Sequence, residues 1–246
     1  MYNPIKDGIK KNEQLVSYTE VQAPDSLSGL VHSYWELKTV SDLAEDFTLH
    51  VIPDACINIL FNILDPRIAA ITARLTEYVE LNLGRSFHYV GIQFLPGMWQ
   101  GNRDEILYGF VDKPYLGKLP LVKIAKQLSK LDFSSMQIIL TDLVGQLIDH
   151  KFVGENLITT RILEDLDSID SVEEMAASAN LSPRQLQRIL KETTGFTPHN
   201  LLKVLRLQLA FRNHYLEYYT DQSHFIHSFR KITGYTPAEF FKSFDV

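Results

Sequence analysis

Apolar residues between positions 29 and 101 fall in short runs: VHSYWEL (31–37), DFTLHVI (46–52), INILF (57–61), YVELNL (78–83) and FHYVGIQFL (87–95). The runs are rich in β-branched and aromatic residues, and turn formers such as Pro53-Asp54, Asp65-Pro66, Gly84 and Pro96-Gly97 separate or follow them. This spacing predicts short strands in a small antiparallel barrel or sandwich. Between 121 and 150 the period changes. Met136, Ile139, Leu140, Leu143, Leu147 and Ile148 recur at helical spacing, with Ser134 or Ser135 placed to cap the start. From residue 157 onward only helical patterns follow, and the polar stretch HKFVGEN (150–156) is the expected boundary. The predicted fold class is α+β: a β-rich unit with C-terminal helices over 1–150, then an all-α unit over 157–246.

One short pattern occurs twice. SPRQLQRILKETTGFTP ends at Pro198 and DQSHFIHSFRKITGYTP at Pro237. An offset of 39 residues lays Gly195 on Gly234, Phe196 on Tyr235, Leu186 on Phe225, Leu190 on Phe229 and Lys191 on Arg230. Ahead of the first copy, Ser171 and Glu174 form a capping box, and Val172, Met175, Ala176 and Ala179 an apolar stripe. Asn180 tolerates a left-handed turn; Ser182 then caps a helix whose first residue, Pro183, gives up no needed hydrogen bond. Helix, three-residue turn, helix is the layout of a helix-turn-helix. Its second helix buries Leu186, Ile189 and Leu190 and sets Arg184, Gln187, Arg188 and Lys191 at i, i+3, i+4 and i+7 on the other side. Arg can donate two hydrogen bonds to guanine, Gln can pair with adenine and Lys can neutralise a phosphate. An ordinary solvated face has the same composition.

The whole-chain charge of −6 argues against a phosphate-bearing partner. The average hides an asymmetry. Residues 180–246 carry nine Lys and Arg against five Asp and Glu, a balance of +4, whereas residues 1–179 carry 15 against 25, a balance of −10. One acidic body and one polyanion-facing module fit that split, and with the capping box, turn and repetition they favour DNA over a plain solvated face. A hydrophobic content of 45% is that of a globular chain with real cores. The first twenty residues lack an apolar segment behind their charges, and no run approaches bilayer length, so a cytoplasmic location without a membrane partner is expected. Cys56, the single cysteine, has no disulfide or thiolate partner and reads as a small buried residue.

The residues from about 157 to 241 resemble the DNA-binding domain of the AraC/XylS family of bacterial transcription regulators, through MAASANLSPRQLQRILKETTGFTPHNLLKVLRLQLA and DQSHFIHSFRKITGYTPAEFF. The resemblance implies two helix-turn-helix units joined by a long helix, reading two adjacent stretches of major groove. It implies Arg184, Gln187 and Arg188, with Lys191, as the DNA-binding residues of the first unit, and Gln222, Ser223 and His227, with Arg230, as those of the second. Arg206, Leu207 and Ala210 match the family's pattern in the linking helix, and Arg206 counts with the implied DNA-binding residues. The implied partner is double-stranded DNA; RNA polymerase, a small-molecule effector and a second copy of the chain in a homodimer are further candidates, and no cofactor is expected. VIPDACINILF and GIQFLPG resemble the small β-barrel sensor domains that lie upstream in such regulators.

Two features depart from the family pattern. Between Arg206 and Asp221 there is room for about one helix fewer than two full units need. The 39-residue offset lays Phe211, Tyr215 and Tyr218 over Val172, Ala176 and Ala179, which predicts one continuous helix over about 199–219, ~30 Å long at 1.5 Å per residue, serving as linker and scaffold together. In the second unit Ser223, Ile226, His227 and Arg230 replace Arg184, Gln187, Arg188 and Lys191. That face has fewer base-reading groups, and His227 is fully charged only below about pH 6.5. The alternative reading is a cupin-like metal-dependent enzyme, or a small-molecule-binding protein, with a vestigial DNA-binding domain. It would use His50, Asp54 and His88 inside the barrel. His214, His224 and His227 form a second, incomplete metal set. Trp35, Trp99, Tyr34, Phe94 and Met98 are candidates for an effector pocket or for the core.

Overall fold

The computed structural model describes residues 2–4, 7–11, 13–73, 76–212 and 222–245, the side chains of Arg212, Gln222, Ser223, His224 and Asp245 excepted. Nine strands come first: β1 (Ile9–Lys10), β2 (Val16–Gln22), β3 (Val31–Thr39), β4 (Phe47–Val51), β5 (Ile57–Asn62), β6 (Ala69–Ala73), β7 (Val79–Gly84), β8 (His88–Phe94) and β9 (Ile106–Leu107). Helices α1 (Leu121–Leu128), α2 (Phe133–Asp149), α3 (Leu157–Glu164), α4 (Val172–Ser178), α5 (Pro183–Thr193), α6 (Pro198–Arg212), α7 (Gln222–Thr233) and α8 (Pro237–Ser243) follow, and β10 (Phe244–Asp245) ends the described chain. The class is α+β, a β-sheet region followed by a helical one. No helix among the described residues is long and apolar enough to cross a membrane.

The main sheet runs β2-β3-β8-β5-β6-β9, antiparallel except for the parallel β6–β9 pair, and β4 with β7 forms a separate antiparallel ladder. Alternation along the strands sorts side chains to two faces. Tyr34, Ile59, Phe61, Ile71, Ile92 and Phe94 share one core with the apolar stripes of α1 and α2, including Leu128, Leu140 and Leu143. Leu37 and Tyr89 turn the other way, toward Phe47, Leu49 and Leu81 of the β4–β7 ladder.

Several expectations change in detail. The cap of α2 is Asp132, whose carboxylate accepts from the Ser135 amide at 2.8 Å, so Ser134 and Ser135 lie inside the first turn. Strands β2 and β6 fall outside the anticipated runs. Helix is not the only structure after residue 157, because β10 returns to pair with β1, Ile9 opposite Asp245. The 150–156 stretch is stitched to residues 98–100: the Gln100 amide donates to the Phe152 carbonyl (2.8 Å) and the Gly154 amide to that of Met98 (3.0 Å). A single apolar cluster joins Cys56, Leu95 and Met98 to Met175, Leu186 and Leu205 across that segment. Cys56 is fully buried, and burial pushes its thiol well above the usual range, which keeps it protonated and inert. Helix α6 covers the first part of the expected continuous helix; residues 213–219 lie outside the described residues.

Candidate nucleic-acid interface

Local signals build the first unit as the sequence predicts. The Ser171 hydroxyl accepts from the Glu174 amide at 3.1 Å and the Glu174 carboxylate accepts from the Ser171 amide at 3.0 Å, so both arms of the capping box form. The Asp170 amide also donates to that carboxylate and, as the largest cause, holds it below the usual range. Asn180 adopts φ 54°, the left-handed conformation of the turn. Ser182 caps α5 in a second box with Gln185, and Pro183 stands at its first position. Leu186 and Leu190 are fully buried and Ile189 half-buried, so α5 is seated along one side.

The opposite side is open. Arg184, Gln187, Arg188 and Lys191 are all exposed and line one shallow surface groove with Glu192 and Thr197. Arg188 meets Glu192 at 3.5 Å, an exposed pair one helical turn apart that contributes little and separates readily. Lys191 donates to the Gly195 carbonyl at 3.1 Å. The arrangement offers two guanidiniums, an amide and an ammonium on a fixed helix.

The second unit repeats the first in geometry. Gly195 and Gly234 have φ 81° and 82°. In the first turn Thr194 Oγ1 donates to the Leu190 carbonyl (2.7 Å) and accepts from the Phe196 amide (3.1 Å). In the second, Thr233 Oγ1 donates to the Phe229 carbonyl (2.9 Å) and accepts from the Tyr235 amide (3.3 Å). Thr236 then caps α8 in a capping box with Glu239. Behind α7, Phe211 packs on Phe229, Phe240 and Phe241 with ring centroids 5.2 to 5.8 Å apart, so an aromatic takes over the scaffold position that the offset assigned to it. Ile226, His227 and Arg230 are exposed on α7, whereas the side chains of Gln222 and Ser223 lie outside the described residues. Arg206 stands apart from both faces, half-buried and paired with Asp170 ahead of α4.

Sequence reasoning missed how both turns are held. Arg103 Nη1 and Nη2 donate to the carbonyls of Thr193 and Thr194, each at 2.9 Å. His50 Nε2 donates to the Thr233 carbonyl at 2.7 Å, and the Tyr78 amide to that of Ile232 at 2.8 Å. Thr194 and Thr233 are equivalent under the 39-residue offset, so the β-region clamps the same carbonyl in each unit. A donor at a helix C-terminus satisfies a carbonyl the helix leaves open, and a guanidinium also complements the helix dipole. No spacing pattern announces contacts that span 91 and 183 residues.

The barrel metal set does not assemble. His50 faces Thr233, His88 Nε2 bonds the Glu36 carboxylate (2.9 Å), and the Asp54 carboxylate accepts from the Cys56 amide (2.9 Å) and Gln93 (2.7 Å). Among the described residues no group of three or more His, Cys, Asp and Glu is placed to hold a metal ion. His214 and the side chain of His224 lie outside the described residues. Of the five candidate pocket residues Trp35 borders a cavity beside the main sheet and Trp99, itself buried, borders an open pocket with Gln100, Arg161 and Ile189; Tyr34, Phe94 and Met98 belong to the cores.

Residues 19–102 match a family model described as a domain of unknown function (DUF6597). No curated protein matches the chain. Among solved structures the chain is similar to the crystal structure of apo ToxT K231A from Vibrio cholerae strain SCE256, with 10% identity, a TM-score of 0.45, and coverage of 94% of this chain and 97% of that one.

Proposed function

We propose that the chain is a sequence-specific, double-stranded-DNA-binding transcription regulator of AraC type. Residues 157–246 hold the recognition helices and residues 1–150 sense an effector or join two copies into a homodimer. The observation that carries this reading is the face of α5: Arg184, Gln187, Arg188 and Lys191 project together from a helix whose other side is anchored by Leu186 and Leu190. Groups that pair with guanine, adenine and phosphate on one rigid helix suit a major groove. Exposure of Ile226, His227 and Arg230 on α7 supports a second, weaker contact, in which Ile226 can meet a thymine methyl. Contact with RNA polymerase would follow from positioning on a promoter.

Selection of bound duplexes from a random pool by the purified chain tests the reading. The expected result is a defined motif whose strongest positions are lost in Arg184→Ala or Arg188→Ala, with affinity that falls as salt rises. A pool that enriches no motif at low salt overturns the proposal.

A further inference from the structure

Strands β4 and β5 belong to different sheets, and the residues that join them, 52–56, are all buried. Connections normally run over the surface, because a buried one must find partners for its backbone groups. This one finds them in distant parts of the chain. The Ile52 amide donates to Asp7 Oδ1 at 3.1 Å, and the Asp54 carbonyl accepts from the Tyr2 hydroxyl at 2.7 Å. Asp54 Oδ1 accepts from the Cys56 amide at 2.9 Å, and the Pro53 carbonyl accepts from Gln208 Nε2 of α6 at 2.7 Å. Within the segment Ala55 adopts φ 59°. A residue with a side chain is strained in that left-handed region, and such strain persists only where surrounding contacts over-determine the backbone.

The segment meets both units of the repeat. Ile52 shares a buried cluster with Phe225 and Phe229 of α7 and with Leu207 and Ala210 of α6. Ala55 and Cys56 share another with Leu186 and Leu190 of α5 and with Leu202 and Leu205 of α6. Phe225 and Phe229 are the counterparts of Leu186 and Leu190 under the 39-residue offset, so the seats of α5 and α7 adjoin the same short loop. Gln208, 1% exposed, stands on α6 where that helix passes from one cluster, with Leu205, to the other, with Leu207. Apolar burial is non-directional. A side-chain amide bonded to one particular carbonyl is directional and fixes where α6 lies along the loop. Because Pro53 is buried, bulk water does not make good the loss of that donor.

We propose that residues 52–56 and Gln208 position α5 and α7 relative to each other: the loop is the common seat of both helices, and the Gln208–Pro53 hydrogen bond registers α6 upon it. These residues act through the helices they seat and touch no ligand. Arg103 and His50 hold the end of one helix each, whereas this segment ties the two helices together. Two major-groove stretches on one face of a duplex lie one helical turn apart, so a fixed separation of the helices selects a fixed separation of sequence blocks. That consequence rests on the DNA-binding reading; the positioning itself does not.

The test measures the separation of the two helices in the full chain, without DNA. Gln187→Cys and Arg230→Cys, at exposed positions of α5 and α7, carry nitroxide labels. Cys56 is fully buried, and the chain without the two substitutions is the control for its silence. Pulsed dipolar electron spin resonance gives the distribution of distances. The expected result is one narrow distribution, split or widened at least about twofold by Gln208→Met, which keeps the side chain's length and removes the donor, and by Ile52→Ala. Leu140→Ala opens a cavity in the core shared by α2 and the main sheet and should leave the distribution narrow, which separates positioning from loss of stability. If either variant fails to fold by circular dichroism, Ile52→Val takes its place. An unchanged distribution in either folded variant overturns the proposal, as does a broad one in the parent chain or equal widening by Leu140→Ala. In duplexes selected from a random pool, unlabelled Gln208→Met should keep the base preferences of each block and relax their separation. A chain that enriches no DNA while its distances behave as expected refutes the DNA reading alone.

Discussion

Gly195→Ala tests whether the Arg103 clamp bears weight. At φ 81° the residue is left-handed, and an alanine there costs about 1–2 kcal/mol. The added Cβ would also stand 2.1 Å from Arg103 Nη2. Because that atom ends a flexible side chain, the guanidinium can withdraw, but it then gives up the carbonyls of Thr193 and Thr194. A hydrogen bond from a charged donor contributes about 1.5–3 kcal/mol when buried. Arg103 is half-buried, and water can replace part of what is lost, so roughly 2 kcal/mol for the pair is the expectation. Reduced freedom of the unfolded chain returns about 0.4–1 kcal/mol. The sum is a destabilisation of roughly 3 kcal/mol.

A double-mutant cycle separates the two parts. Urea unfolding of the wild type, Gly195→Ala, Arg103→Ala and the double variant, followed by circular dichroism, gives the four free energies. Once Arg103 is gone, Gly195→Ala should cost only its backbone strain, about 1 kcal/mol, leaving a coupling of roughly 2 kcal/mol. Additivity within about 0.5 kcal/mol would refute the reasoning, because the alanine would then act without displacing the guanidinium.

Two further outcomes follow from named side chains. Arg188→Ala should weaken binding to the selected site by about 1–3 kcal/mol at one base position, measured by competition between single-base variants; an equal loss on random DNA would reduce Arg188 to a phosphate contact. His50 makes stability depend on pH. Burial pushes its imidazole below the usual value, and the Thr233 carbonyl, Glu80 and Asp7 pull it back only in part. With the folded pKa depressed below about 6.5, the unfolded chain protonates first, so stability present above that pH is lost as pH falls, by up to about 1.4 kcal/mol per unit. The advantage of the wild type over His50→Gln should therefore shrink on acidification through that window, and parallel pH profiles of unfolding would remove His50 from this role.

What the sequence made legible is what acts within about ten residues. The box at Ser171 and Glu174, Pro183 at the first turn of α5, the left-handed Asn180, and the Thr-Gly-aromatic repeat each satisfy backbone groups close in sequence, so pattern and geometry coincide. Strand β6 shows the opposite case. Ala69, Ala70 and Ala73 carry little strand preference, yet all five residues are buried between neighbours that hydrogen-bond them into the sheet. Tertiary context overrides propensity there. His50 was legible as a buried polar group but not as to its partner: a metal and a carbonyl 183 residues away call for the same imidazole.

The two clamps explain why the halves of the repeat need not respond alike. Both grip a helix by its C-terminal turn, which leaves the exposed side chains of Arg184, Gln187 and Arg188 in the N-terminal part of α5 clear of that grip. They hang from different places. Arg103 stands in a short turn ahead of β9 and does not border the internal cavity, whereas His50 follows Leu49, which does. Asp7 and Ile9 also border it, and β1, which contains Ile9, pairs with β10 directly behind α8. The cavity wall thus adjoins His50 and β1 on the side of α7 and α8, and through Thr72, paired with Leu107 of β9, it adjoins the turn that carries Arg103. Equivalent carbonyls are thus held by a guanidinium in one unit and by an imidazole in the other, so acidification acts on the second hold and not on the first.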